Sequence, residues 1–454
     1  MTAPALRQYQ LDAIQRTRLA ASQARSVLVV SPTGSGKTTI AGQIVASAVS
    51  RNKRVLWLAH RSELIEQGFD RLREFGLTVG AIAASNTRPP NPYAPVQVAS
   101  IQTLLARPAL RPAADIVVWD EVHHSVSDEW SALAQHYASS LLLGFTATPE
   151  RSDGKGLGAI FQRLVVAARV QELVELGHLV PCEIRRPGRR LKPGTIAQRP
   201  VDAYLNEARG RRTICFSPSV EAANAHAEEF NGLGVTARVV TGDMPQAERA
   251  LYLSAFKRGE IQVLVNVYVL TEGFDDPGTS CVIMARGCGT AGMYLQITGR
   301  GLRPAPGKRD CLLIDLHGVS HVHGHPQDDR EYSLDGKGIR RAGEIEVDPQ
   351  GSCRVCGAPI NPGEACAECG TAPKLIEPPK VTGDPLEKYA KKRAEDNSQK
   401  AATYARWIAD AAGKGYKQGA AKGKFKAVYG EWPSYRIEQD ARAILNGEKK
   451  DRVA

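Results

Sequence analysis

No apolar run in the 454-residue chain approaches the roughly 20 residues of a membrane span. Met1 to Gln10 lacks the basic-then-apolar pattern of a secretory leader, so the expected location is cytoplasmic, with no membrane partner. A closed disulfide framework is missing too, since nine cysteines is an odd number. Five of them, Cys182, Cys215, Cys281, Cys288 and Cys311, are scattered in apolar or mixed surroundings and are expected as reduced core thiols. Nor is there a marked compositional bias: 43% hydrophobic and 24% charged residues describe an ordinary soluble globular protein. The length allows about three domains. What stands out is a formal charge of +11, which points to a polyanionic partner.

The most specific stretch is Ser31 to Thr39, S-P-T-G-S-G-K-T-T, between the apolar run Ser26–Val30 and the amphipathic pattern Ile40–Val45. Buried strand, glycine-bearing turn and helix in that order form the setting of a phosphate-binding loop. Thr33, Gly34, Ser35 and Gly36 let backbone N–H groups curl around phosphate oxygens, and the helix N-terminus near Lys37 adds positive potential. Lys37 is placed to reach the β- and γ-phosphates and Thr38 to hold Mg²⁺. The first position of G-x-x-x-x-G-K-[ST] is Ser31 instead of glycine, a residue small enough to turn there.

Before this loop, Leu6 to Gln10 opens a helical pattern, and the Gln10 amide can pair with adenine N7 and N6–H₂. After it, strands are expected at Arg54–Ala59, Val96–Ser100, Ile116–Asp120 and Leu141–Phe145, alternating with helices as in a parallel sheet. Ligands of such sheets lie beyond the carboxyl ends of the strands. There the chain carries Asp120-Glu121-Val122-His123-His124 and Thr146-Ala147-Thr148. Adjacent carboxylates beside a phosphate loop suit metal-assisted hydrolysis, with Asp120 on Mg²⁺ and Glu121 on the attacking water. Mg²⁺ prefers oxygen, so His123 and His124 are expected to couple to neighbouring elements.

Leu6 to Gln10, Ser31 to Thr39, Asp120 to His123 and Thr146 to Thr148 together resemble the Q motif and motifs I, II and III of superfamily 2 helicases, in the DExH branch. A second α/β unit follows, with strands expected at Arg212–Phe216, Thr236–Val240, Gln262–Asn266, Cys281–Ala285 and Asp310–Asp315. Arg185–Pro200 reads as a loop or linker. Val269 to Pro277 resembles motif V, which implies nucleotide contacts for Gly273 and Asp275, and Gln296 to Arg303 matches the Q-x-x-G-R-x-x-R of motif VI. Gln296, Arg300 and Arg303 complete the catalytic set on this resemblance. The two arginines, three residues apart, are expected on one helix face, reaching the γ-phosphate from the facing domain. His317, His321, His323 and His325 invite a metal reading, but their irregular spacing fixes no coordination geometry.

Further on, Cys353, Cys356, Cys366 and Cys369 form two C-x-x-C-G knuckles that suit tetrahedral Zn²⁺. A Pro-rich linker precedes residues 386–454, which hold 16 Lys/Arg against nine Asp/Glu. Tyr389, Tyr404, Trp407, Tyr416, Phe425, Tyr429, Trp432 and Tyr435 interleave with the basic residues. That pattern fits phosphate contact with base stacking, and equally a small helical domain with an aromatic core. The stretches Tyr416–Phe425 and Tyr429–Pro433 resemble the C-terminal segment of RadD-type DNA repair ATPases and related phage helicases.

The expectation is an α/β protein with two tandem RecA-like domains (1–182 and 183–348), a zinc module (349–373), a linker (374–385) and a basic, mainly helical C-terminal domain (386–454). ATP, Mg²⁺ and Zn²⁺ are the expected cofactors. The resemblance implies an ATP-driven DNA motor in recombination, repair or replication, with single-strand-binding protein or a recombinase as partner. A restriction-type motor subunit, an RNA helicase and a zinc-dependent nucleic-acid-binding scaffold with a vestigial ATPase are the alternatives.

Overall fold

The computed structural model describes residues 4–84, 88, 90–122, 128–149, 156–192, 194–271, 273–335, 379–389, 397–413, 419–429, 433 and 435–447. The first sheet contains β1 (Ser26–Val30), β2 (Val55–Ala59), β3 (Val79–Ile82), β4 (Val96–Ser100), β5 (Ile116–Asp120), β6 (Leu141–Thr146) and β7 (Arg163–Val166). Their order is β3-β4-β2-β5-β6-β1-β7, with every pairing parallel. Strands covered by helices on both faces bury every side chain, which is why β1 and β2 read as unbroken apolar runs. In β1, Val27 and Val29 enter one core with Ile40, Ile44 and Trp57, while Leu28 and Val30 enter another with Trp119, Trp130 and Phe161. Each such aliphatic burial contributes about 1.5–3 kcal/mol, so one short strand joins two cores. The edge strands β3 and β7 were absent from the sequence expectation: each is four residues long, and Gly80 interrupts the apolar run of β3 while β7 opens on exposed Arg163.

β6 lies between β1 and β5. Three neighbouring carboxyl ends therefore carry Ser31–Thr39, Thr146–Thr148 and Asp120–Glu121.

The second half of the chain adds β8 (Cys182–Pro187), β9 (Thr195–Ile196), β10 (Thr213–Phe216), β11 (Ala237–Val240), β12 (Val263–Asn266), β13 (Cys281–Met284), β14 (Cys311–Asp315), β15 (Lys380–Val381) and β16 (Leu386–Lys388). Seven of them form a sheet in the order β11-β12-β10-β13-β14-β8-β16, parallel except for β16 on β8. Two expectations change here. Within Arg185–Pro200, expected as a loop or linker, the chain also holds the end of β8, the strand β9 and the first residue of the helix Pro200–Glu207, where proline's missing N–H is harmless. Within the expected linker, Lys380–Val381 pairs with β9, and Leu386–Lys388, assigned by sequence to the C-terminal domain, closes the edge of the second sheet. An open sheet edge recruits such short segments through main-chain hydrogen bonds, which side-chain patterns do not reveal.

A second compact unit occupies Tyr389–Ala454. Its helices Asn397–Gly413, Gly419–Tyr429 and Tyr435–Leu445 enclose Ala401, Tyr404, Ala405, Phe425, Ile437 and Ala441. Tyr404 and Phe425 are thus core residues in edge-to-face contact at 5.4 Å, unavailable for stacking on bases. Trp407 packs edge-on against Phe425, with the Lys424 ammonium 5.1 Å from its ring. Cys353, Cys356, Cys366, Cys369, His123 and His124 lie outside the described residues, as do Tyr416 and Trp432.

All five scattered cysteines are buried free thiols, and burial pushes Cys215 and Cys288 up to about 12. The four clustered histidines each meet a different backbone carbonyl: His317 that of Thr195 (2.8 Å), His321 that of Pro187 (2.9 Å), His323 that of Cys288 (3.0 Å) and His325 that of Cys182 (3.1 Å). A ring N–H must donate in each case, so these side chains stitch the segment after β14 to the rest of the sheet. Among the described residues no group of His, Cys, Asp and Glu is placed to hold a metal.

Burial lowers both His323 and His226 from 6.5 to about 4. As pH falls below 6.5 the unfolded chain takes up these protons while the folded chain does not, so stability is lost on acidification, by about 2 kcal/mol for each histidine at pH 5. Thermal unfolding followed by circular dichroism should show a midpoint that falls steadily between pH 7.5 and about 5. A constant midpoint across that window would contradict the assignment.

Candidate active site

A phosphate cradle requires N–H groups turned inward, which positive φ provides. Gly34 (φ 84°) and Gly36 (φ 81°) supply it, and the helix Lys37–Val49 starts directly after Gly36. The loop is braced from within. The Ser31 N–H donates to Thr146 O at 2.9 Å, tying the loop to β6. The Ser31 and Ser35 hydroxyls are 2.7 Å apart, and Ser35 Oγ donates to Pro32 O at 2.6 Å. With the Ser35 proton directed at Pro32, Ser31 is the donor to Ser35 Oγ. The serine that departs from the common loop pattern therefore closes a buried ring of hydroxyls, which a glycine could not do.

Gln10 also reaches the loop. Its Oε1 accepts from Arg7 N at 3.0 Å, and its Nε2 donates to Ser35 O at 3.3 Å. Each end of the amide retains capacity for one further bond, so the protein contacts leave an adenine edge readable. Tyr9, to which sequence reasoning gave no role, donates its hydroxyl to the same Ser35 carbonyl.

Lys37 Nζ lies 3.0 Å from Glu121 Oε1, with both side chains about nine-tenths buried. Removing either partner would strand a charge out of water. Glu121 adopts φ 49°, unusual for a non-glycine residue, and its N–H donates to Asp120 Oδ1 at 3.1 Å. Thr38 stands in the first turn of the loop helix. In the third motif, Thr146 Oγ1 donates to Thr148 O at 2.6 Å and accepts from Thr148 N at 3.1 Å, a closed turn.

Motif VI meets this rim from the second sheet. The helix Ala291–Gly299, capped by Thr290 Oγ1 on Met293 N at 3.2 Å, carries Gln296, which is 4% exposed. The helix ends at Gly299, so Arg300 and Arg303 do not share a helix face as expected. They converge another way: Arg300 donates to Thr271 O (2.9 Å) and Phe274 O (2.6 Å), while Arg303 donates to Phe274 O (3.3 Å) and the Asp275 carboxylate. The motif V loop thus holds both guanidiniums. Burial lowers the proton affinity of Arg303 against the opposing pull of Asp275 and Asp276.

The two halves touch where side chains are smallest. A β-carbon on Gly34 would come within 2.9 Å of Arg303 Cγ, one on Gly299 within 2.6 Å of Thr33 Cβ, and one on Gly292 within 2.7 Å of Thr148 Oγ1. Gly273, at φ 70°, accepts from Gln67 Nε2, and nearby Arg249 pairs with Glu63 at 2.9 Å. Neither half of that ion pair carried a sequence signal. The structure therefore sets Lys37, Glu121 and Asp120 together at the phosphate loop and lays Arg303 of the other half against Gly34, with Arg300 held beside it on Phe274 O, an arrangement suited to breaking a phosphoanhydride bond.

Residues 3–151 match the family described as Type III restriction enzyme, res subunit, and residues 197–305 the helicase conserved C-terminal domain. A Lactococcus phage protein described as a 51.5 kDa protein is 27% identical over 76% of this chain and 77% of its own length. A Schizosaccharomyces pombe relative named as the mitochondrial ATP-dependent helicase irc3 is 28% identical over 68% of this chain, though the match spans only 57% of that relative. The DNA 3'-5' translocase XPB2 of Sulfurisphaera tokodaii is 25% identical over 68% of this chain and 81% of its own. In three dimensions, a fragment assigned as the HsdR subunit of a type I restriction enzyme from Vibrio vulnificus superposes with a TM-score of 0.59 at 22% identity, covering 73% of this chain and 67% of that one.

Ser31→Gly should weaken ATP binding by about 2- to 10-fold, the value of one lost buried hydrogen bond, with little change in kcat. Steady-state ATP titration checks this, and an unaltered KM would show that the hydroxyl ring does not shape the loop.

Proposed function

This chain belongs to superfamily 2 of the helicase-type ATPases, and from that premise we propose that it is an ATP-driven DNA translocase or helicase acting in recombination, repair or replication. The observation that carries the reading is the buried Lys37–Glu121 pair on a phosphate loop whose Gly34 lies against Arg303 of the second half. Lys37 pairs with Glu121, and Arg303 with Asp275. A bound triphosphate offers both cations a better-matched anion. Lys37 then turns to the β- and γ-phosphates, which frees Glu121 to orient and deprotonate the attacking water. Arg300 and Arg303 meet the charge that spreads over the transferred group. The Thr38 hydroxyl and Asp120 carboxylate are oxygen donors of the kind Mg²⁺ takes, and that ion would neutralise phosphate charge there. Because the arginines belong to the second half of the chain, hydrolysis and release loosen the grip between halves, and repeated cycles move them along a nucleic acid.

The net charge of +11 supports a polyanionic track. DNA is favoured over RNA by the kinship with DNA motors and by the RadD-like C-terminal segment, which also makes single-strand-binding protein or a recombinase the partner class to test. The match to a restriction res subunit family supports a second reading, a restriction motor that would co-purify with a nuclease or methylase subunit. Among the described residues no helix is long and apolar enough to cross a membrane.

The purified chain should hydrolyse ATP with stronger stimulation by single-stranded, duplex or forked DNA than by RNA in one assay. Lys37→Ala and Glu121→Gln should abolish that activity while leaving the circular dichroism spectrum intact, and a variant that still turns over at the normal rate would remove the site assignment. For the knuckles, elemental analysis should find one zinc ion per chain, lost in Cys356→Ser and Cys369→Ser; equal zinc in these variants would exclude a thiolate site.

A further inference from the structure

Arg303 lies beyond the end of its helix, so something other than helical geometry must fix its main chain. The candidate is Lys308, which the sequence reading passed over. Ala305-Pro306-Gly307-Lys308 forms a tight turn: Lys308 N–H donates to Ala305 O at 3.0 Å, proline occupies the second position and Gly307 the third, with φ 75°. The turn folds the Lys308 side chain back over the preceding residues. Its ammonium then donates to three carbonyl oxygens, those of Pro277 (3.0 Å), Thr279 and Arg303 (2.6 Å). Three N–H groups meet three acceptors, with no carboxylate in the set.

Those acceptors belong to two motifs. Pro277 and Thr279 close the motif V loop, which is rigid at that end: Thr279 Oγ1 donates to Asp276 Oδ2 at 3.0 Å, and Arg212 pairs with Asp276 at 3.1 Å. The other end of the same loop, Phe274 and Asp275, holds the Arg303 guanidinium. Lys308 therefore clamps the backbone of Arg303 to one end of the loop that grips its side chain at the other. We infer that Lys308 is a positioning residue for hydrolysis, setting Arg303 at the phosphate loop through its three carbonyl bonds. This rests on the ATPase reading above.

The clamp needs the charged ammonium, because a neutral amine has only two N–H donors. Asp276, Asp310, Arg303 and the Cys311 thiol face Lys308, with Arg212 on Asp276 and Arg211 on Asp310. Desolvation dominates among these influences and pulls Lys308 down to about 8.

The test measures DNA-stimulated ATP turnover of the full chain, Lys308→Met and Lys308→Arg across alkaline pH. Lys308→Met should lose about 10- to 100-fold in kcat with KM for ATP within about threefold, as expected when a catalytic group is misplaced while ground-state binding persists. The unmodified chain should lose turnover above about pH 8, and Lys308→Arg, whose guanidinium stays charged, should lack that decline. A Lys308→Met variant with unaltered kcat overturns the proposal, and so does the same alkaline decline in Lys308→Arg. If Lys308→Met does not fold, the two remaining profiles decide. Failure of the ATPase reading would look different: no turnover that Lys37→Ala removes, whatever occupies position 308.

Discussion

At Gly34 and Gly299 a side chain of one half lies against the bare backbone of the other with no room for a β-carbon, and most of the site's properties follow from that contact. A phosphate loop can accept a cation from outside only where its own side chains are missing. Gly34 serves twice, because its positive φ turns an N–H inward and its bare Cα lets Arg303 lie against it. Gly299 does the reverse from the second half, admitting Thr33 to the end of the motif VI helix. The contact is therefore assembled from two glycine-lined surfaces, and a methyl group on either would force Arg303 or Thr33 to shift.

Charge in this cleft is held, not left in water. Lys37 and Glu121 neutralise each other, Arg300 and Arg303 rest on carbonyls and Asp275, and Lys308 rests on carbonyls alone. Each buried charge thus has a carboxylate or fixed main-chain dipoles as its partner. In the cycle proposed above, exchange of these partners for phosphate would couple nucleotide occupancy to domain contact, since it moves side chains without exposing a charge. The loop Thr271–Thr279 is the common support, gripping both arginines at one end and Lys308 at the other.

Elsewhere, residues with chemical potential are used structurally. The four histidines donate to four carbonyls, two of them at the two ends of β8, the five described cysteines are buried thiols, and Tyr404 and Phe425 form the centre of a small helical bundle. Residue type alone suggested metal or base contacts for some of these. The competing demand, satisfying backbone carbonyls and filling a core, was met first.

By itself the sequence determined the two parallel sheets, because strands buried on both faces must be apolar throughout, and it placed the candidate phosphate loop and carboxylate pair at strand ends and the arginine motif on a helix. Short edge strands escaped it, since β9, β15 and β16 exist through pairing with a neighbour's main chain and carry no apolar period of their own. Tertiary structure alone decided that β6 seats Thr146 between loop and carboxylates and that the motif VI helix stops before its arginines. It also decided that Ser31 bonds Ser35 and that Lys308 folds back on Arg303. All of these are relations between a side chain and a backbone group supplied by another turn or strand, and a linear string of residue types records the side chain without the carbonyl it will meet.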